Sequence, residues 1–172
     1  MTDFSSLYKQ YAPDVYRFAL YLSGERGDAE DITSETFVRA WTAPEPIRME
    51  TAKGYLFAIA RNLFLQGLRK KSRHVALDEN LRAPGASPYT QAEGKQEIQF
   101  LLAQLQELPE ESRAALLMRA VDGMAYEEIA RALGISLAAV KVKIHRARLA
   151  LAGIRNPQPE PRRDASGPEG TK

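Results

Sequence analysis

From Phe4 to about Arg73 the apolar side chains recur every three or four positions: Val15, Phe18, Ala19 and Leu22, then Ile32, Phe37 and Trp41, then Leu56, Ile59, Ala60 and Leu63. That is the period of helices that bury one face, and no stretch sustains the alternation of a half-buried strand. The pattern lapses over "HVALDENLRAPGASPYTQAEG", where Pro84, Gly85, Ser87 and Pro88 give the composition of a linker. It resumes with Ile98, Leu101, Leu102 and Leu105 and breaks at Leu108-Pro109, where a proline suits the start of a helix. It then runs through Leu116, Leu117 and Val121 to Gly123.

The next helix has Ile129, Ala130 and Leu133 on one face, Gly134 for a left-handed stop, and Ser136 to cap its successor. That layout is a helix-turn-helix. On the following helix Val140, Ile144, Ala147 and Leu151 form one buried stripe at about 100° per residue. After Ile154 the tail "RNPQPEPRRDASGPEGTK" is too rich in proline and too poor in apolar residues to offset the entropy of ordering, so disorder is expected.

The expected fold is all-α: two small helical domains joined by a flexible linker, the second a four-helix domain built on the helix-turn-helix. The boundaries are residues 5–73, a linker over 74–95, residues 96–154, and a tail over 155–172.

The net charge of +2 is too small to name a polyanion as partner, so position matters more than total. The last helix has four cations and no acid between Leu137 and Arg148. Ala138, Ala139, Lys141, Val142, His145 and Arg146 face outward there, with Lys143 and Arg148 at the flanks. Small residues at its start let the backbone approach base edges, and the long cations can reach bases or phosphates. A merely solvated face would usually mix both signs.

The segment "GYLFAIARNLFLQGLRKKSR" has five cations and no acid. Tyr55, Asn62, Gln66, Arg69 and Arg73 line up on one face away from its apolar side, with Arg61 nearby. Amides, a ring and guanidiniums together suit a strand with exposed bases. The attraction of Lys70, Lys71 and Arg73 to a helix C-terminus accounts for the last turn only.

The opposite sign gathers in "GDAEDITSETFVRAW", where Asp28, Asp31 and Glu35 share a face beside Ile32 and Phe37. Three readings stay open for it: acids favoured by a helix start, a divalent-metal site for a nuclease, or a docking face for a basic protein surface. The metal reading lacks a second ligand cluster. There is no cysteine, hence no disulfide or thiolate metal site, and with two histidines no metal centre or cofactor is expected. The absence of a long apolar run and of a signal-peptide layout at the N-terminus leads to the expectation of a cytoplasmic protein.

The order "DAEDITSETFVRAW", then "GYLFAIARNLFLQGLRKKSR", a linker, and "LPEESRAALLMRAVDGMAYEEIARALGISLAAVKVKIHRARLAL" resembles the extracytoplasmic-function sigma factors of the sigma-70 family, over roughly residues 5–153. The resemblance implies a non-enzymatic initiation factor that binds core RNA polymerase and promoter DNA and takes part in melting it. The acidic segment would dock on the polymerase clamp through Asp28, Asp31, Glu35 and Phe37. Residues 42–53 and the helix after them would recognise the minus-10 element with Tyr55, Arg61, Asn62, Gln66, Arg69 and Arg73. The minus-35 reader would be the helix bearing Ala138, Ala139, Lys141, Val142, Lys143, His145 and Arg146. An anti-sigma factor is an implied partner, and direct membrane insertion is not. Ser34 stands where the family pattern often has Gln, and Val142 where it often has Ser. A stand-alone helix-turn-helix regulator is the alternative.

Overall fold

The computed structural model describes residues 3–77 and 93–155, with side chains at 3–73 and 96–153. Among the described residues the structure is all-helical. It has α1 Phe4–Ser23, α2 Arg26–Trp41, α3 Ala52–Leu77, α4 Glu93–Gln106, α5 Glu110–Ala120, α6 Tyr126–Leu133 and α7 Leu137–Arg155. The all-α expectation holds, with four helices in the second half. Helix α3 runs past Arg73 to Leu77 and α4 begins at Glu93; the remainder of the expected linker, and the expected tail beyond Arg155, lie outside the described residues.

Helix α1 starts where the Asp3 carboxylate accepts the Ser5 N–H at 3.3 Å, and stops at Gly24, whose φ of 77° is left-handed. Its apolar face, Val15, Phe18, Ala19 and Leu22, packs against Leu56, Phe57 and Ala60 of α3 and Ile32 of α2 in a continuous core. At its centre the Phe18 and Phe57 rings stack with centroids 4.6 Å apart and planes 6° from parallel. Burying such side chains stabilises by about 1.5–3 kcal/mol each, the main driving force available to a helical bundle.

In the second half Gly134 adopts φ 68° and ends α6, and the Ser136 hydroxyl accepts the Ala139 N–H at 3.1 Å to start α7. Val140, Ile144 and Ala147 are buried and Leu151 is partly buried, so the expected stripe holds.

The halves touch. Arg113, itself buried, donates from Nε to the Leu105 carbonyl at 2.8 Å, from Nη2 to Leu108 at 3.1 Å and to Gln106 at 3.3 Å, and from Nη1 to Leu22 of α1 at 2.6 Å. One guanidinium thus satisfies orphan carbonyls at the ends of α1 and α4 together. The Gln106 amide adds bonds to the Tyr21 and Leu22 carbonyls at 3.3 and 3.2 Å. A Cβ on Gly24 would meet that amide at 3.1 Å, so Gly24 serves both the turn and the close approach.

Candidate nucleic-acid interfaces

Tyr55, Asn62, Gln66, Arg69 and Arg73 are all exposed along α3, because Leu56, Phe57, Ala60 and Phe64 turn the opposite side into the core. The stripe expected from spacing is therefore an open surface. Arg39 of α2 joins it, with Nη2 donating to the Gln66 side-chain oxygen at 3.5 Å. Arg61 does not belong to it. At 100° per residue Arg61 lies about 120° around the helix from Tyr55, and its side chain is only 13% exposed. Its Nε and Nη2 donate to the two carboxylate oxygens of Glu110 at 2.7 and 2.9 Å, a bidentate pair that raises the guanidinium's pKa. In this structure Arg61, expected among the minus-10 contacts, faces Glu110 of α5 rather than the open stripe.

On α7, Ala138, Lys141, Val142, His145 and Arg146 are exposed and Ala139 is half-buried, as the burial of Val140, Ile144 and Ala147 requires. Lys143 points back toward α5, with its ammonium 3.2 Å from Glu111. It is a flank residue held by an ion pair, not part of the outward face.

The acidic face lies on α2. Asp31 and Glu35 are exposed, and with Asp28, Ile32, Leu68 and Lys71 they line a groove of about 280 Å³ between α2 and α3. Asp28 accepts a 2.6 Å hydrogen bond from Lys71, which raises that lysine's pKa, and Glu35 lies 3.3 Å from Arg39. These are surface pairs, each worth about 1 kcal/mol or less. Phe37 departs from expectation: it is 3% exposed, with the Tyr8 ring edge-on at 4.9 Å and Phe4 at 6.3 Å. As a core residue it shapes the face from beneath. The aromatic ring α2 shows to solvent is Trp41, 65% exposed, with Phe4 edge-on at 4.5 Å. Among the described residues no group of three His, Cys, Asp or Glu side chains is arranged to hold a metal, and no helix is long and apolar enough to cross a membrane.

Asp122 was not singled out by spacing. It sits in the turn after α5, where the DG dipeptide marks a turn without revealing what the turn touches. Its side chain is 0% exposed, yet neither carboxylate oxygen has a hydrogen-bond partner. Lys53 of α3 and Arg17 of α1 approach it to 3.8 and 3.9 Å. Burial pushes its pKa from 3.8 to about 6; Lys53 and Arg17 pull it down, and Asp14 adds to the rise.

Two family profiles match the chain: Sigma-70 region 2 over residues 7–74, and Sigma-70, region 4 over residues 99–151. The ECF RNA polymerase sigma factor SigE of Mycolicibacterium smegmatis is 38% identical over 156 residues, 86% of this chain and 60% of that protein. SigM of Bacillus subtilis, another ECF RNA polymerase sigma factor, is 32% identical over 87% of this chain and 93% of its own length. The chain thus spans under two thirds of the first relative and nearly all of the second. Among solved structures, the sigma factor RpoE of Bartonella quintana, in complex with the anti-sigma factor NepR, aligns with a TM-score of 0.75 at 26% identity. The alignment covers 90% of this chain and 98% of that one.

Proposed function

This chain belongs to the sigma-70 family, among its extracytoplasmic-function RNA polymerase sigma factors, and from that membership we propose that it binds core RNA polymerase, brings it to promoter DNA and so starts transcription. It performs no catalysis of its own and acts in the cytoplasm. Residues 7–74 dock on the polymerase clamp through the α2 face of Asp28, Asp31 and Glu35, with Phe37 as its internal support. The α3 stripe of Tyr55, Asn62, Gln66, Arg69 and Arg73 takes the opened minus-10 strand, stacking on the ring and holding phosphates with guanidiniums. Helix α7 reads the minus-35 duplex with Ala138, Ala139, Lys141, Val142, His145 and Arg146, the exposed start of the helix nearest the base edges.

The observation that carries this reading is the opposition of charge on one small chain: an open acidic face on α2, and separate open basic faces on α3 and α7. Neither DNA-binding unit has the charge to bind tightly alone. Both gain by effective concentration once the polymerase holds them. An anti-sigma partner is part of the reading, by analogy with the RpoE relative solved with NepR.

The test is transcription from supercoiled promoter templates by purified core polymerase, with and without the protein. Specific transcripts that need the protein support the reading; tight polymerase-independent binding to duplex sites, without transcripts, would make the chain a stand-alone regulator.

A further inference from the structure

Around α7 the side chains are sorted by angle. With the buried Val140, Ile144 and Ala147 as the inner side, about 100° per residue puts Ala138, Val142, His145 and Leu149 along the line farthest from the core, and all four are exposed. Val142 stands about 170° from the inner side. The exposed cations keep to the edges: Lys141 and Arg148 lie about 100–120° round from Val142 on one side, and Arg146 about 40° on the other. Lys143 is drawn back to Glu111. A middle line of mostly apolar side chains with cations on either side suits the major groove, whose walls carry phosphates and whose floor shows base edges.

We propose that Val142 makes one position of the minus-35 element a thymine, by packing on the C5-methyl that thymine alone of the four bases shows in the major groove. The inference deepens the promoter reading and rests on it, since α7 has to lie in the duplex. In a helix-turn-helix it is the start of the second helix that meets base edges, and Val142 falls in the second turn of α7. Ala138, one turn earlier, keeps the backbone close enough for so short a side chain to reach the floor. The isopropyl group has no hydrogen-bonding atom, so it gains only from an apolar partner. Guanine, adenine or cytosine at that point would set a polar edge against it and lose water without a replacement. His145, one turn on, is left as the polar reader of the middle line.

The experiment uses the full chain with core polymerase and a pool of promoter duplexes randomised over the minus-35 region. Selected duplexes are expected to share a thymine. Replacing it with 2′-deoxyuridine removes the methyl and nothing else, and is expected to weaken binding about fourfold, the worth of one buried methyl group. Another base there is expected to cost about tenfold or more. With Val142→Ser the thymine and deoxyuridine duplexes are expected to bind within about 1.5-fold of each other; this double comparison isolates the contact, since a loss of fold or of helix position weakens both duplexes alike. Leu149→Ala removes an exposed apolar side chain two turns farther along the same line and is expected to keep the whole preference.

Selected duplexes without a common thymine overturn the proposal, as does a deoxyuridine effect that is absent from the unaltered chain or persists in full with Val142→Ser. A preference lost equally with Leu149→Ala overturns it too. Transcription from the selected duplexes, run in parallel, separates the two claims. Transcripts without a methyl effect sink the thymine contact alone, and a methyl effect without transcripts sinks the sigma-factor function alone. A pool from which nothing is selected or transcribed sinks both.

Discussion

Arg113 and Leu22 are 91 residues apart in sequence, and the Arg113 Nη1 donates to the Leu22 carbonyl at 2.6 Å. The same guanidinium serves two carbonyls in the last turn of α4, Leu105 and Gln106, and that of Leu108 just beyond it, so it links the last turn of one helix to that of another. Burial lowers its pKa, while Glu110 opposes that shift. An arginine stays charged regardless, and the carbonyl dipoles around it are what make the site tolerable.

Arg113→Met is expected to lower the unfolding free energy by about 3 kcal/mol, because the carbonyls lose their donors in a space water cannot readily fill. Urea denaturation followed by circular dichroism checks it. A loss under about 1 kcal/mol would mean that water replaces the guanidinium without penalty.

Asp31 is exposed on α2, so reversing its charge leaves the core untouched. Asp31→Lys is expected to change stability by no more than about 0.5 kcal/mol and to abolish co-purification with core polymerase. A folded Asp31→Lys chain that still binds polymerase removes the clamp role from this face.

Lys141 and Arg146 both stand on the open side of α7. Replacing both with Ala is expected to weaken binding of the polymerase complex to a duplex minus-35 probe. If both contact phosphates, the slope of log K against log salt drops by about 2; if one reads a base, the loss depends on probe sequence. Titrations at several salt concentrations on two probe sequences decide between these.

Asp122 makes stability depend on pH. Its pKa in the fold, about 6, exceeds its ordinary 3.8, so the fold prefers the protonated form. The resulting stabilisation is fully present below about pH 4 and disappears as pH rises through about 6, a change of roughly 1–3 kcal/mol. Asp122→Asn imitates the protonated group: it should flatten this slope and be the more stable chain at about pH 7.5. Urea titrations at acid and neutral pH test this. An Asn chain weaker at neutral pH would mean that attraction to Lys53 and Arg17 outweighs the desolvation.

The helices were legible because their periodicity is local. Val140, Ile144 and Ala147 share a face whatever surrounds them, and Ser136 caps α7 with its own hydroxyl. The α3 stripe was legible for the same reason, since Tyr55, Asn62, Gln66, Arg69 and Arg73 fall together at helical spacing. Periodicity does not say whether an apolar residue finds a neighbour. Ile98 and Leu101 share the expected α4 face with Leu105, yet only Leu105 is buried, because α4 meets the rest of the protein near its C-terminal end. Trp41 and Phe37 lie on one helix, and periodicity does not tell that Phe37, with Tyr8 of α1 against it, is covered while Trp41, with Phe4 on one side, stays open.

By itself the sequence determined the all-helical class, the caps of the helix-turn-helix, the basic faces and the acidic one, because each depends on residues within a few turns of one another. The tertiary structure decided what those local elements meet. It paired Arg61 with Glu110, 49 residues away, and turned Lys143 toward Glu111. It also buried Asp122 among cations from α1 and α3 and gave Arg113 the end of α1 to cap. Those outcomes rest on packing between segments distant in sequence, and no periodicity along the chain encodes which side chain will stand opposite which.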